Sequence, residues 1–223
     1  MAIDGAALVR ALGETQTAYR ASPTAVRTGG VIAPMHGFCA HELSVRGFPE
    51  HALHPRQTPV KGRKRVRLLG GYMPKEIDVC VTVPDSGPLL AISVKSQMSS
   101  IIKNTMNRFE EYVGDATNLH TRFPMLVLGF MMLIPVHEET FRRGKPTDGL
   151  QRIAELLERS NARRVVTEPS GSYEVSCLLL VDFEPTPPRL STVFPPNNSS
   201  LRVEQFFDKL VELYRQRNQF VKL

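Results

Sequence analysis

Apolar segments of two kinds alternate along the chain, and their order predicts an α/β fold. Residues 77–83 (IDVCVTV) and 89–95 (LLAISVK) are short, β-branched and apolar, and PDSGP at 84–88 separates them, which predicts an antiparallel hairpin. Residues 125–134 (MLVLGFMMLI) are apolar without interruption between prolines, the pattern of a strand buried on both faces. YEVSCLLLVDF at 173–183 predicts a further strand.

Helical spacing fills the intervals. Residues 4–21 place Leu8, Leu12 and Tyr19 near one face, with Asp4 as N-cap and Ser22-Pro23 as the stop. Met98, Ile102, Met106, Phe109, Val113 and Ala116 recur every three or four residues and predict one amphipathic helix over 98–119. A helix over 148–160 would be capped by Thr147 or Asp148, and one over 200–218 would open on a capping box in SLRVE. Residues 22–56, rich in Gly, Pro and His, are expected to be loop with short elements, and 185–200 is a proline-rich loop. The basic run RQTPVKGRKRVR at 56–67 ends as a strand leading into Gly70-Gly71. No repeat or linker divides the chain, so residues 1–223 are expected to form a single domain.

Composition narrows the possible functions. The chain has 28 Lys and Arg against 22 Asp and Glu, a net charge of +6, which suits a polyanionic partner. Three cysteines without CxxC spacing, Cys39, Cys80 and Cys177, read as core residues and favour a reducing, cytoplasmic setting. No signal peptide and no membrane span is expected, since the longest apolar run covers ten residues. No GxxxxGKS loop or nucleophile elbow is present, so no nucleotide cofactor is expected. His36, Cys39, His41, His51 and His54 fall close together, but their spacing matches no zinc pattern.

The candidate chemistry sits on the hairpin. Asp78 opens one strand and Lys95 ends its partner seventeen residues later, so antiparallel pairing brings both to one edge of a sheet. Phosphodiester hydrolysis needs an activated water and a neutralised phosphate. A carboxylate-held Mg²⁺ beside a lysine supplies both.

Ile77-Asp78 and Ser93-Val94-Lys95, on adjacent strands before a long helix, resemble the PD-(D/E)XK nucleases, which include many type II restriction endonucleases. The resemblance covers residues 70–134. It implies a restriction-endonuclease-like core in αβββαβ order, with a central mixed β-sheet flanked by helices. It also implies Mg²⁺ (or Mn²⁺) as cofactor, double-stranded DNA as substrate and a homodimer. Ser93 stands where the family usually carries an acid, as in the S-x-K restriction enzymes that draw their second carboxylate from the following helix. Glu110, fifteen residues after Lys95, flanks the expected apolar stripe, and Glu111 projects away from it. The implied catalytic set is therefore Asp78, Ser93, Lys95 and Glu110, with metal ligands Asp78, Glu110 and the carbonyl of Val94, and with Glu76 and Glu14 in reserve. DNA contacts are expected from Lys61, Arg63, Lys64 and Arg65, and from Gln97, Lys103, Asn104, Asn107 and Arg108. The other readings are a module of the same fold that binds DNA or a protein without catalysis, and an interaction protein with no nucleic-acid role.

Overall fold

The computed structural model describes residues 1–21, 30–55 and 66–221. Its elements in chain order are helices α1 (Gly5–Ala21) and α2 (Ala33–Val45), strands β1 (Leu53–His54), β2 (Val66–Leu69), β3 (Pro74–Ile77), β4 (Val79–Val83) and β5 (Gly87–Ser96), and helix α3 (Thr105–Arg122). Strand β6 (Val127–Pro135), the small hairpin β7 (Phe141–Arg142) and β8 (Lys145–Pro146), helix α4 (Asp148–Ser160), strands β9 (Val175–Asp182) and β10 (Arg189–Leu190), and helix α5 (Val203–Arg217) follow.

Six strands form a mixed central sheet in the order β1-β4-β5-β6-β9-β10. β4 pairs antiparallel with β5, while β5, β6 and β9 run parallel. Each parallel step needs a crossover, which α3 and α4 supply, and because both steps advance in the same direction both helices land on one face. Tyr112, Ala116 and Leu119 of α3 and Leu150, Ile153 and Leu157 of α4 pack there against Leu128, Phe130, Met132 and Ile134 of β6. The opposite face is covered by α2 and α5, where Phe206, Phe207 and Leu210 meet Val127, Met131 and Leu133. Covered on both sides, β6 is apolar throughout, as its sequence predicts. α5 packs so closely that a Cβ on Gly129 would lie 2.9 Å from Leu210 Cδ1 and Phe206 Cζ.

Three local expectations are corrected. First, residues 33–45 form a helix rather than loop, opening on Pro34 in its first turn. Second, α3 begins at Thr105, preceded by turns, so the stripe assumed from Met98 onward is out of phase: Ile102 and Met106 are exposed and Tyr112 is buried. Third, α5 starts at Val203 with Arg202 as N-cap and without a side-chain cap. Ser199, ahead of it, accepts instead from Leu201 N and donates to Glu158 Oε1 at 2.6 Å. Asp4 does cap α1, accepting from Ala7 N at 2.9 Å, and Thr147 caps α4. All three cysteines are buried and reduced. No helix among the described residues is long and apolar enough to cross a membrane.

The start of β9 is locked by a buried carboxylate. Glu174, wholly inaccessible, accepts from Leu128 N at 2.8 Å and from Arg163 and Arg217, each at 2.6 Å, and lies 3.3 Å from His120 Nε2. Burial alone would raise its carboxyl, but His120, Arg217 and the Leu128 amide outweigh that and hold it below the usual range. One side chain thus ties the ends of α3 and α5 to the sheet. Removing it strands two buried guanidinium groups, so Glu174→Ala is expected to cost about 3–5 kcal/mol in urea unfolding. A loss under about 1 kcal/mol, the range of a surface pair, would contradict this role.

Candidate active site at the end of the central strand

β5 outruns β4. The pairing of Val79 with Ile92 is the last before the chain departs, yet β5 continues to Ser96. Asp78, a single residue between β3 and β4, stands level with Ser93 at this point. Its Oδ2 accepts from Val94 N at 2.9 Å, taking the place of a strand carbonyl. The carboxylate is 8% exposed, and His36 Nε2 of α2 lies 3.6 Å from Oδ1. A strand residue directs its N–H and C=O to the same side, so the Val94 carbonyl faces the gap that Asp78 borders.

Ser93 and Lys95 project to the α3 face. Lys95 Nζ donates to Glu111 Oε1 at 2.8 Å, and Arg108 donates to Glu111 Oε2 at 2.7 Å. Arg108 Nε is held in turn by Gln97 Oε1 at 3.0 Å. One turn along α3, Asp115 pairs with Lys75 of β3 at 2.6 Å, and the same ammonium lies 3.8 Å from Glu111 Oε1. Burial would raise the Glu111 carboxyl, but hydrogen bonds from Lys95 and Arg108 prevail and hold it at about 2. Asp115 shows the opposite balance: burial raises it despite Lys75. Tyr173, fully buried, and Ser93 line a notch with Lys75 and Asp115.

Asp78 and Lys95 thus lie on neighbouring β-segments at one end of the sheet, Asp78 engaged by Val94 and α2, Lys95 by α3. The helix carboxylate that meets Lys95 is Glu111, sixteen residues on; Glu110 is exposed. The physical reason is the shifted phase of α3: its buried stripe is Tyr112, Ala116 and Leu119, and Glu111 and Asp115 flank it. Glu76 is exposed on β3 opposite Arg67, and Glu14 is exposed on α1. Lys75, Asp115 and Tyr173 were not anticipated. A correctly phased helix would have pointed to Asp115, one turn beyond Glu111.

The expected DNA contacts separate into two groups. Lys103 and Asn107 are exposed and Arg108 is partly so, whereas Gln97 is buried and donates to Ser99 O, and Asn104 donates to Ser100 O. Lys61, Arg63, Lys64 and Arg65 lie outside the described residues. The histidines disperse: His36 faces Asp78, His41 pairs with Asp4, His54 meets Thr82, and His51 is exposed. Cys39 packs against Met131 sulfur.

Among the described residues no group of three or more His, Cys, Asp or Glu side chains is placed to hold a metal ion. Mg²⁺ does not need one: it commonly takes one or two carboxylates, keeps several waters and completes its shell with substrate phosphate. Asp78 and the neighbouring Val94 carbonyl fit that open arrangement, and Lys95 and Arg108 are cations whose present partner, Glu111, a phosphate oxygen can replace.

No family model, curated protein or solved structure matches the chain.

Because Lys95 and Arg108 share Glu111, Lys95→Met is expected to raise the Glu111 carboxyl from about 2 toward its ordinary 4.5. The sign for stability follows: what Glu111 contributes is complete above about pH 4.5 and declines as pH falls toward 2. A carboxyl-detected NMR titration follows this directly, and an unchanged midpoint in the variant would refute the shared clamp.

Proposed function

We propose that this chain is a Mg²⁺-dependent endonuclease of double-stranded DNA, with a restriction-endonuclease-like core. The observation that carries the reading is the end of β5, where a buried acid is bonded to Val94 N and the next residue of the strand is a lysine clamped by a helix carboxylate. In this reading Asp78 and the Val94 carbonyl hold the metal, and Glu111, in place of Glu110, supplies the carboxylate absent at Ser93. The divalent ion, when bound, neutralises the phosphate and acidifies its bound water.

The protein's own residues do the rest. Lys95 donates to Glu111 and is thereby fixed over the end of the strand, positioned to orient the attacking water. Arg108, braced by Gln97, is placed to receive a phosphate oxygen. Ser93 walls the site beside Tyr173 without adding charge. Two copies would be needed to meet both strands of a duplex, hence a homodimer.

The test is plasmid cleavage with Mg²⁺ or Mn²⁺. Wild type is expected to nick or linearise supercoiled DNA, and Asp78→Ala and Lys95→Ala to lose about a hundredfold or more in rate. Glu111→Ala should fall with them, while Glu110→Ala should keep the wild-type rate. No cleavage by wild type, or equal cleavage by wild type and Lys95→Ala, would refute the enzyme reading. Metal-independent duplex binding without cleavage would favour the non-catalytic module, for which the neutral Ser93 in the place of an acid is the supporting observation.

A further inference from the structure

The β2–β3 hairpin does not join the central sheet, and its four-residue tip is held with unusual firmness. Asn118 of α3, 4% exposed, accepts from Tyr72 N at 2.9 Å and Met73 N at 3.1 Å, and its Nδ2 donates to Met73 O at 2.9 Å. Its own backbone carbonyl accepts from Gly71 N at 2.8 Å. The two glycines are required by this contact. A Cβ on Gly70 would lie 2.3 Å from Asn118 Nδ2, and one on Gly71 2.6 Å from Thr121 Cγ2. Lys75, two residues past the tip, adds the pair with Asp115.

What this anchorage presents is apolar. Tyr72 is 73% exposed and Met73 61% on the turn, and Leu69, which closes β2, is 57% exposed. Ordering large apolar side chains in water has no value for folding; a rigid amphipathic tip is suited to binding, because its conformational cost is met in advance. Charge identifies the partner. In sequence the tip comes shortly after RKRVR at 63–67, four bases in five residues, and Arg67 of β2 and Arg122 at the end of α3 are exposed. A basic approach ending in an exposed aromatic and a flexible thioether matches a nucleic acid, whose phosphates take the cations and whose bases take the ring.

We infer that the 69–73 tip is a wedge that enters a groove of duplex DNA, with Tyr72 and Met73 against the bases. This rests on the DNA-cleaving reading and adds the surface that grips the substrate. The tip adjoins the clamp: Lys75, three positions after Tyr72 and so at most about 10 Å along the chain, lies 3.8 Å from Glu111 Oε1.

The experiment is fluorescence anisotropy of a labelled mixed-sequence duplex, without divalent metal, across a salt series, with the double variant Tyr72→Ser, Met73→Ser. Both positions are exposed, and an unchanged thermal melt checks that the variant is folded. Duplex affinity is expected to fall about tenfold or more, with the slope of log affinity against log salt unchanged, since an apolar contact releases no counterions. Equal affinity in wild type and variant would overturn the wedge while leaving the nuclease reading intact. Failure of wild type to bind duplex at all would overturn both. A change in oligomeric state with affinity retained would assign the tip to contact between copies and likewise overturn the proposal.

Discussion

The hydrogen bond from Val94 N to Asp78 is the constraint on which this end of the molecule depends. β5 lies inside the sheet and extends beyond its antiparallel partner, so its last amides need acceptors from elsewhere. A buried carboxylate in that position satisfies the strand and frees the preceding chain to leave the sheet. The hairpin of β2 and β3 exists because of that departure, and Lys75 and Asn118 then fix it to α3. Buried acid, lysine clamp and hairpin tip therefore trace to one interruption in one strand pairing.

Two ionic clusters show what separates structure from chemistry here. Glu174, fully inaccessible, is surrounded by Arg163, Arg217 and His120 near the start of the parallel strands β6 and β9. Glu111 sits near the carboxyl end of β5, with its side chain 31% exposed and its cations partly open to solvent. The first is closed and cannot exchange partners without exposing buried charge. The second is partly open to solvent, so its partners can exchange without stranding a fully buried charge. Placement at the carboxyl ends of parallel strands is also where open α/β sheets keep their ligand sites.

Much of this was legible in the residues. β6 and β9 announce themselves because a strand covered on both faces must be apolar throughout, and the β4–β5 hairpin because its turn chemistry is explicit. Asp78 and Lys95 followed from that hairpin. α2 was not legible: its outward face carries Ala33, Gly37, His41 and Val45 while His36 and Glu42 are buried, so polarity does not mark its two faces. α3 was misphased because apolar residues in the turns before Thr105 extend the apparent stripe, and that shift exchanged Glu110 for Glu111. The roles of Asn118 and the glycine pair depend on contacts between segments some 45 residues apart, which no local pattern encodes.

The central claim is that a divalent metal binds where Asp78 borders the end of β5. Calorimetric titration of Mn²⁺ into the purified chain tests it without requiring the correct DNA sequence. The account predicts a binding heat that disappears in Asp78→Ala and persists in Glu110→Ala. No heat in wild type, or the same heat in Asp78→Ala, would contradict it.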